Sequence, residues 1–328
     1  MSYYHLTITE RESILEFLAK GLTIRAIALK LQRSASTISR EIRRLSGHYS
    51  PSKSQKDYRI KRQNSHKPRI LDQQTFLRET IIELIKERQW SPEQISKRLK
   101  LEGKATVSYN TIYRHIESHN LKIPLTSHGD TGIRRQLRHR GRQRHHSGDR
   151  KHRAPQVDYI PIQERPKFIN ERRRIGDWEL DTIQGKVGEE VLVTAVDRQT
   201  RYTLVTKAKR KDSQAINSAL QAMFSQIPKE FVLSITPDHG TEFLQLAEIR
   251  EKLGVTIYWP DPYSPEQRGT NENTNGLIRE YFPKRQSLNP RTLEEVSQWQ
   301  KLLNNRPKKV LGYRTPAEIL FDKVLDLV

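Results

Sequence analysis

Cysteine is absent from all 328 residues, which excludes a disulfide framework and any thiolate metal site. Long apolar runs are missing too, and none approaches the ~20 residues of a membrane-spanning helix. Met1-Ser2-Tyr3-Tyr4-His5 leads straight into a polar helical pattern, with no apolar targeting segment. Acidic charge is the scarce sign. Asp and Glu number 38 against 59 Lys and Arg, a formal net charge of +21, with a sequence pI near 10.1. A chain this basic needs a polyanionic partner or must tolerate strong self-repulsion. These absences predict a soluble cytoplasmic protein bound to nucleic acid, with no membrane partner. The length suits one sizeable core plus smaller appendages, so two or three domains are expected.

The first appendage is helical. Ile14, Leu15 and Leu18 form a stripe that Gly21 is placed to end. Thr23 can cap a second helix with Ile24, Ile27, Ala28 and Leu31 inward. Ser34 can cap a third, with Ile38 and Ile42 inward. The third helix presents Ser36, Thr37, Ser39, Arg40, Arg43 and Arg44 outward, the short hydroxyls and arginines that a helix-turn-helix offers to a major groove. This predicts a DNA-binding domain over residues 1–48, against the plainer reading of a helical bundle with a solvated basic face. Residues 49–73 are polar and basic and read as a linker, or as a lone helix tracking along DNA.

A second helical unit is expected over 74–120. Phe76, Leu77, Ile81, Leu84 and Ile85 form its first stripe. Ser91-Pro92-Glu93-Gln94 combines an N-cap, a first-turn proline and a capping-box glutamine. Ser108 can cap a last helix with Ile112 and Ile116 inward, leaving Tyr109, Asn110, Thr111, Arg114 and His115 to face outward. It reads as another helix-turn-helix. Residues 121–170 read as a basic linker. Within them, Thr131 to Arg153 carries nine Lys or Arg against the single acid Asp149, too little apolar surface for a core. Arg138, Arg140, Arg142 and Arg144 are the candidates to lie along DNA phosphates. His139, His145, His146 and His152 fit no familiar zinc spacing.

From residue 171 the texture changes to mixed α/β. Trp178 to Ile183 reads as a strand. Val191–Val196 and Tyr202–Thr206 read as a hairpin, and Ala215, Leu220, Met223 and Phe224 as a helix face. A buried strand ends at Asp238, a helix runs from Phe243 to Leu253, and Val255–Tyr258 is a last short strand. Helices near 291–304 and after Thr315-Pro316 close the chain.

Acids gather where strands end. Asp177, Glu179 and Asp181 alternate along one strand and share a face, and the residues alone do not choose among them. Asp238 follows Phe231-Val232-Leu233-Ser234-Ile235-Thr236-Pro237. Glu272 opens a helix, with 33 residues between it and Asp238. Glu280, two turns later, is its rival, although Gly269 and the Asn-rich tract favour Glu272 because backbone or DNA can approach closely there. Asp197 reads as a turn residue, and Glu242 as a structural acid or outer ligand. Three carboxylates on strand, strand and helix suit two divalent ions in phosphoryl transfer. Clustered without cations they would raise one another's pKa.

The tract from Ile175 to Lys284 resembles the catalytic core of DDE-type bacterial insertion-sequence transposases, most of all the IS-thirty family, in which 33 residues also separate the second and third acids. The resemblance is carried by Trp178-Glu179-Leu180-Asp181, by Arg268-Gly269-Thr270-Asn271-Glu272-Asn273-Thr274-Asn275-Gly276-Leu277-Ile278-Arg279 and by Tyr281-Phe282-Pro283-Lys284. Arg33-Ser34-Ala35-Ser36-Thr37-Ile38-Ser39-Arg40-Glu41-Ile42 is similar to that family's recognition helix. Leu180 stands where the family commonly has Gly, and His239 where it has Asn. The resemblance implies N-terminal all-α helix-turn-helix units followed by an α/β ribonuclease-H-like, retroviral-integrase-like domain over 171–328. It also implies Asp181, Asp238 and Glu272 as catalytic metal ligands for two Mg²⁺, with Mn²⁺ substituting. The implied partners are double-stranded DNA, as the element's terminal inverted repeats and a target, and a second copy of the chain in a homodimer or higher oligomer. Arg268, Asn273, Asn275, Arg279 and Lys284 are candidates to hold the phosphate backbone. A catalytically silent DNA-binding regulator and a ribonuclease-H-like nuclease remain as alternatives.

Overall fold

The computed structural model describes residues 4–65, 68–137, 160–261 and 264–323, together with Leu325 and Leu327. It divides into two units, Met1–Gln73 and Gln74–Val328.

In the first unit Thr7 caps α1 (Ile8–Ala19) in a full capping box with Glu10, and Gly21 takes the positive φ that turns the chain out of it. Thr23 caps α2 (Ile24–Lys30) and Ser34 caps α3 (Ala35–Ile42). Leu6, Ile14, Ile27, Ala28 and Ile38 form the core. Arg11 is buried inside this small unit. Its Nε donates to Glu41 Oε1 at 2.7 Å and its Nη1 to the Leu6 carbonyl at 2.6 Å, so α1 and the C-terminal half of α3 are tied by a satisfied charge pair. The region expected as a linker, 49–73, holds α4 (Pro51–Asn64) and α5 (Ile70–Gln73). Helix α4 packs on α1. Ser54 is fully buried, Gln55 accepts from Arg11, and Asp57 pairs with Arg44. Polar contacts hold this helix, so no apolar stripe announced it.

The second unit opens with α6 (Thr75–Lys86), α7 (Pro92–Leu101) and α8 (Tyr109–His119). Both expected caps form: Ser91 with Gln94 in a capping box, and Ser108 on the Thr111 N–H. Leu77, Ile81, Leu84, Ile85, Ile95, Leu99, Ile112 and Ile116 are buried, whereas Phe76 is 83% exposed and leaves the expected stripe. Past α8, Leu121 and Ile133 are buried in two short 3-10 turns, so the expected 121–170 linker begins with packed structure.

The expected linker also ends in structure. Strand β1 (Ile160–Pro161) and α9 (Lys167–Asn170) precede β2 (Asp177–Gln184), β3 (Val191–Asp197), β4 (Thr203–Ala208), α10 (Ser213–Phe224), β5 (Ser234–Thr236), α11 (Ala247–Leu253), β6 (Thr256–Trp259), α12 (Gly269–Tyr281), α13 (Leu293–Asn304) and α14 (Pro316–Leu320). The sheet order is β1-β6-β5-β2-β3-β4. Strands β2, β3 and β4 are antiparallel neighbours, and β1, β6, β5 and β2 run parallel. Parallel central strands need cover on both faces. Trp178, Leu180, Val193, Ala195 and Ile235 pack with α10 and α11 on one side. Ile183, Leu192 and Val205 pack with Leu277, Ile278 and Phe282 of α12 and with α13 on the other. The period of two along β2 therefore points Asp177, Glu179, Asp181 and Ile183 toward the α12 side.

The C-terminal segment returns to α7. Arg98, 1% exposed, makes a bidentate pair with Glu318 at 2.7 Å per arm, a 2.5 Å bond to Glu102, and a further bond to the Leu325 carbonyl. Gln94 donates to the Pro307 carbonyl, and Glu93 accepts from Tyr313 and Lys309. These long-range polar contacts make α6–α8 and the α/β core one compact unit rather than separate domains joined by a free linker.

Candidate active site

Register places the first two acids. Glu179 of β2 pairs with Thr236 of β5, and two residues further on come Asp181, still within β2, and Asp238, just past the end of β5. Their carboxyl groups lie near enough for the charge of Asp238 to act on Asp181. Burial raises the Asp181 carboxyl to about 6, with a further push from Asp238, although Arg268 pulls the other way. Arg268 enters from the start of α12. Its guanidinium lies 3.5 Å from Asp181 Oδ2 and 3.9 Å from Asp238 Oδ2, and it also donates to the Leu180 carbonyl at 2.8 Å. From the next turn of α12, the Asn275 amide donates to Asp181 Oδ2 at 2.7 Å. Two side chains read as phosphate contacts, Arg268 and Asn275, thus attend the acids themselves.

Glu272 is exposed on the first turn of α12. Among the described residues no three His, Asp or Glu side chains cluster closely enough to hold a metal ion. The structure brings Asp181 and Asp238 together with Arg268 and Asn275, and it does not bring Glu272 to them. The physical reason is repulsion: a third carboxylate gains nothing beside two others whose charge one guanidinium offsets only in part. The rival Glu280 is engaged elsewhere, pairing with buried Arg306 at 3.0 Å.

The other acids of β2 are internal. Glu179 is fully buried, paired with Arg198 and accepting the Asn271 backbone N–H. Asp177 is held by Arg174 and Ser234. Asp197 accepts from the backbone of Gly176, Gln199 and Thr200, a turn-organising role. Glu242 is buried against Lys211 and Thr182. Arg279 donates to the Gln184 carbonyl, and Asn273 and Lys284 are exposed. Sequence reading missed Arg165, Arg172, Arg198 and Arg201, which gather beneath the start of α12. They sit in turns and short segments, where no periodicity marks them.

On α3, Ser36, Arg40 and Arg43 are exposed, while Thr37 and Ser39 are half-buried. Arg44 is not free for a groove. It pairs with Glu41 at 3.0 Å and with Asp57 at 3.4 Å. On α8, Tyr109, Asn110 and Arg114 are exposed, and Thr111 bonds back to the capping Ser108. His115, expected outward, is 3% exposed because its position packs in line with Ile112 and Ile116. Arg138, Arg140, Arg142 and Arg144, and the four histidines among them, lie outside the described residues.

Comparison with known proteins agrees with this architecture. Residues 2–45 match a helix-turn-helix domain family and residues 171–265 an integrase core domain family. The transposase InsI for insertion sequence element IS30A of Escherichia coli is 40% identical over 327 residues, covering 96% of this chain and 83% of that protein. The transposase for IS4351 of Bacteroides fragilis is 34% identical, covering 96% and 94%, and that for IS1086 of Cupriavidus metallidurans 30%, covering 97% and 94%. Among solved structures, the catalytic core domain of BIV integrase matches with a TM-score of 0.36 at 17% identity, over 45% of this chain and 95% of that one. The chain belongs to the IS30 family of insertion-sequence transposases, DNA-binding polynucleotidyl transferases of the DDE type with helix-turn-helix and integrase core domains.

Proposed function

We propose that this transposase binds the terminal inverted repeats of its own element, cuts at their ends and joins them to target DNA, with Asp181, Asp238 and Glu272 as its metal-holding acids. The observation that carries the reading is the pairing of Asp181 with Asp238 around a single cation, Arg268. Two adjacent carboxylates, one in the middle of β2 and one just past β5, demand positive charge, and hard oxygen donors suit Mg²⁺, with Mn²⁺ as its substitute. When bound, a pair of such ions would supply a lowered pKa for the attacking hydroxyl or water and charge stabilisation on the attacking and leaving oxygens.

The chain's own residues do the remaining work. Asn275 fixes the orientation of Asp181 through its 2.7 Å bond. Glu272 lies three residues before Asn275, on nearly the same helix face, so a change of side-chain rotamer is the movement by which it would join the other acids. Arg268, released from the carboxylates when their charge is met otherwise, is placed to meet a phosphate oxygen. Exposed Ser36, Arg40 and Arg43 of α3 are the proposed readers of base edges, with Tyr109, Asn110 and Arg114 of α8 as a second reading face. Arg138, Arg140, Arg142 and Arg144 are proposed to follow phosphates. Two element ends have to meet, so the working species is a homodimer or higher oligomer.

The test is magnesium-dependent nicking and strand joining on a labelled duplex carrying the element's end. Asp238→Asn is expected to retain end binding and lose both reactions. Wild-type protein that binds ends and does not nick them would favour a silent regulator. Nicking of RNA–DNA hybrids without strand joining would favour a ribonuclease-H-like nuclease.

A further inference from the structure

Arg172 and Arg201 reach the same atom from different parts of the chain. Arg172 follows α9 and Arg201 ends the β3–β4 turn. Both hold left-handed backbone conformations that non-glycine residues seldom adopt, with φ of 58° and 63°. Arg172 Nη2 lies 3.4 Å and Arg201 Nη1 2.7 Å from Oγ1 of Thr270, a buried residue on the first turn of α12. A neutral hydroxyl cannot offset two guanidinium charges. The acid whose charge acts on both, Glu179, is fully buried and committed to Arg198. Among the described residues neither Arg172 nor Arg201 forms an ion pair with a carboxylate, while Arg165 and Arg198 add positive charge beneath them.

We propose that Arg172 and Arg201 form a phosphodiester-binding site beside the start of α12, taking a backbone phosphate of DNA next to the one presented to Asp181 and Asp238. The proposal rests on the reading that the core handles DNA. Thr270 lies two residues past Arg268, which touches both acids, so one strand can meet both places in succession. Guanidinium forks match the oxygens of a phosphodiester, and two of them offer more donors than the shared hydroxyl uses. The electrostatics agree in direction. Burial, then the charge of Arg172, brings the Arg201 guanidinium down to about 10, and burial followed by Arg198 lowers that of Arg172. An anion between them would relieve both effects.

The experiment uses the full chain in EDTA, so that binding is read without chemistry and a failure of the metal-dependent reading leaves the measurement intact. Affinity for an element-end duplex and for an unrelated duplex is measured by fluorescence anisotropy across a salt series. Exposed Arg172→Gln should weaken both duplexes alike, and with Arg201→Gln it should flatten the plot of log affinity against log salt by about one unit, the signature of one lost phosphate. Thr270→Val removes the shared hydroxyl and leaves the charges, so it should keep the wild-type slope. Inorganic phosphate should raise the melting temperature of the wild type more than that of Arg172→Gln. An Arg172→Gln protein with unchanged affinity and slope would overturn the proposal. So would a Thr270→Val protein that reproduces the arginine losses, since the arginines would then serve only to hold α12. Stabilisation by phosphate with no change in DNA slope would mark a free-anion site and reject the DNA assignment.

Discussion

The Asn275 side-chain amide donates to Asp181 Oδ2 across 2.7 Å, joining the middle of β2 to the second turn of α12. That bond fixes which way the first acid faces. Glu272 stands one turn earlier on the same helix, exposed. Arg268 completes the arrangement from the turn before, so one helix supplies both the cation and the amide that hold the acids in place.

Replacing Asn275 with Ala should leave folding and end binding intact and loosen Asp181. Outer-shell partners of ligating carboxylates typically govern affinity and activity by about 10–100-fold. The Mg²⁺ concentration giving half-maximal nicking should therefore rise by that order. An unchanged Mg²⁺ requirement would mean that Asp181 is oriented by the sheet alone.

Glu272 and Glu280 should separate cleanly. Glu272→Gln removes a charge from an exposed position, so its melting temperature should be unchanged while cleavage and joining fall by about two or three orders of magnitude, as when a preorganised charge stabiliser is lost. Glu280→Gln breaks the pair with buried Arg306 and should lower stability while most activity per folded molecule survives. A dead Glu280→Gln beside an active Glu272→Gln would reverse the assignment of the third acid.

Stability should depend on the tie between α7 and the C-terminal segment. Arg98→Ala leaves Glu318 buried without its partner, which costs about 3–5 kcal/mol in comparable sites. The pH dependence follows from Glu318. Burial acts to raise its pKa, but hydrogen bonds from Arg98 and from the backbone of Leu325 and Thr315 prevail and hold it at about 2, below the ordinary 4.5. A depressed carboxylate contributes stability that is complete above its unfolded pKa and is lost as pH falls through the folded value. Wild-type melting temperature should thus decline between about pH 5 and 2 by more than that of Glu318→Gln. Parallel curves for the two proteins would exclude the pair as a source of acid sensitivity.

Specificity should divide α3 by position. Arg40→Ala should weaken binding to the element's end more than to unrelated DNA, by the ~1–3 kcal/mol typical of a good base contact. Arg44→Gln, already tied to Glu41 and Asp57, should lower thermal stability of the N-terminal unit and leave the specificity ratio alone. Equal losses on both duplexes for Arg40→Ala would make it a phosphate contact.

The sequence by itself determined the elements that local chemistry dictates. Caps at Thr23, Ser34, Ser91, Ser108 and Thr315 form where a hydroxyl precedes an apolar period, and the β-branched runs of β3 and β4 pair as the expected hairpin, because capping and burial are short-range effects. Asp238 followed a strand that has to be buried, whereas Asp181 was singled out from Asp177 and Glu179 on the same strand face only by the family resemblance. Tertiary structure alone decided the rest. Helix α4 is held by Arg11 and Arg44, Arg98 reaches Glu318 across 220 positions, and Arg172 and Arg201 meet on Thr270. It also turned Asn275 and Arg268 toward the acids, buried His115 and left Glu272 in solvent. Polar contacts between distant residues leave no period in a sequence. A charged side chain reads the same whether it will face water, DNA or a buried partner, and only the packed chain settles which.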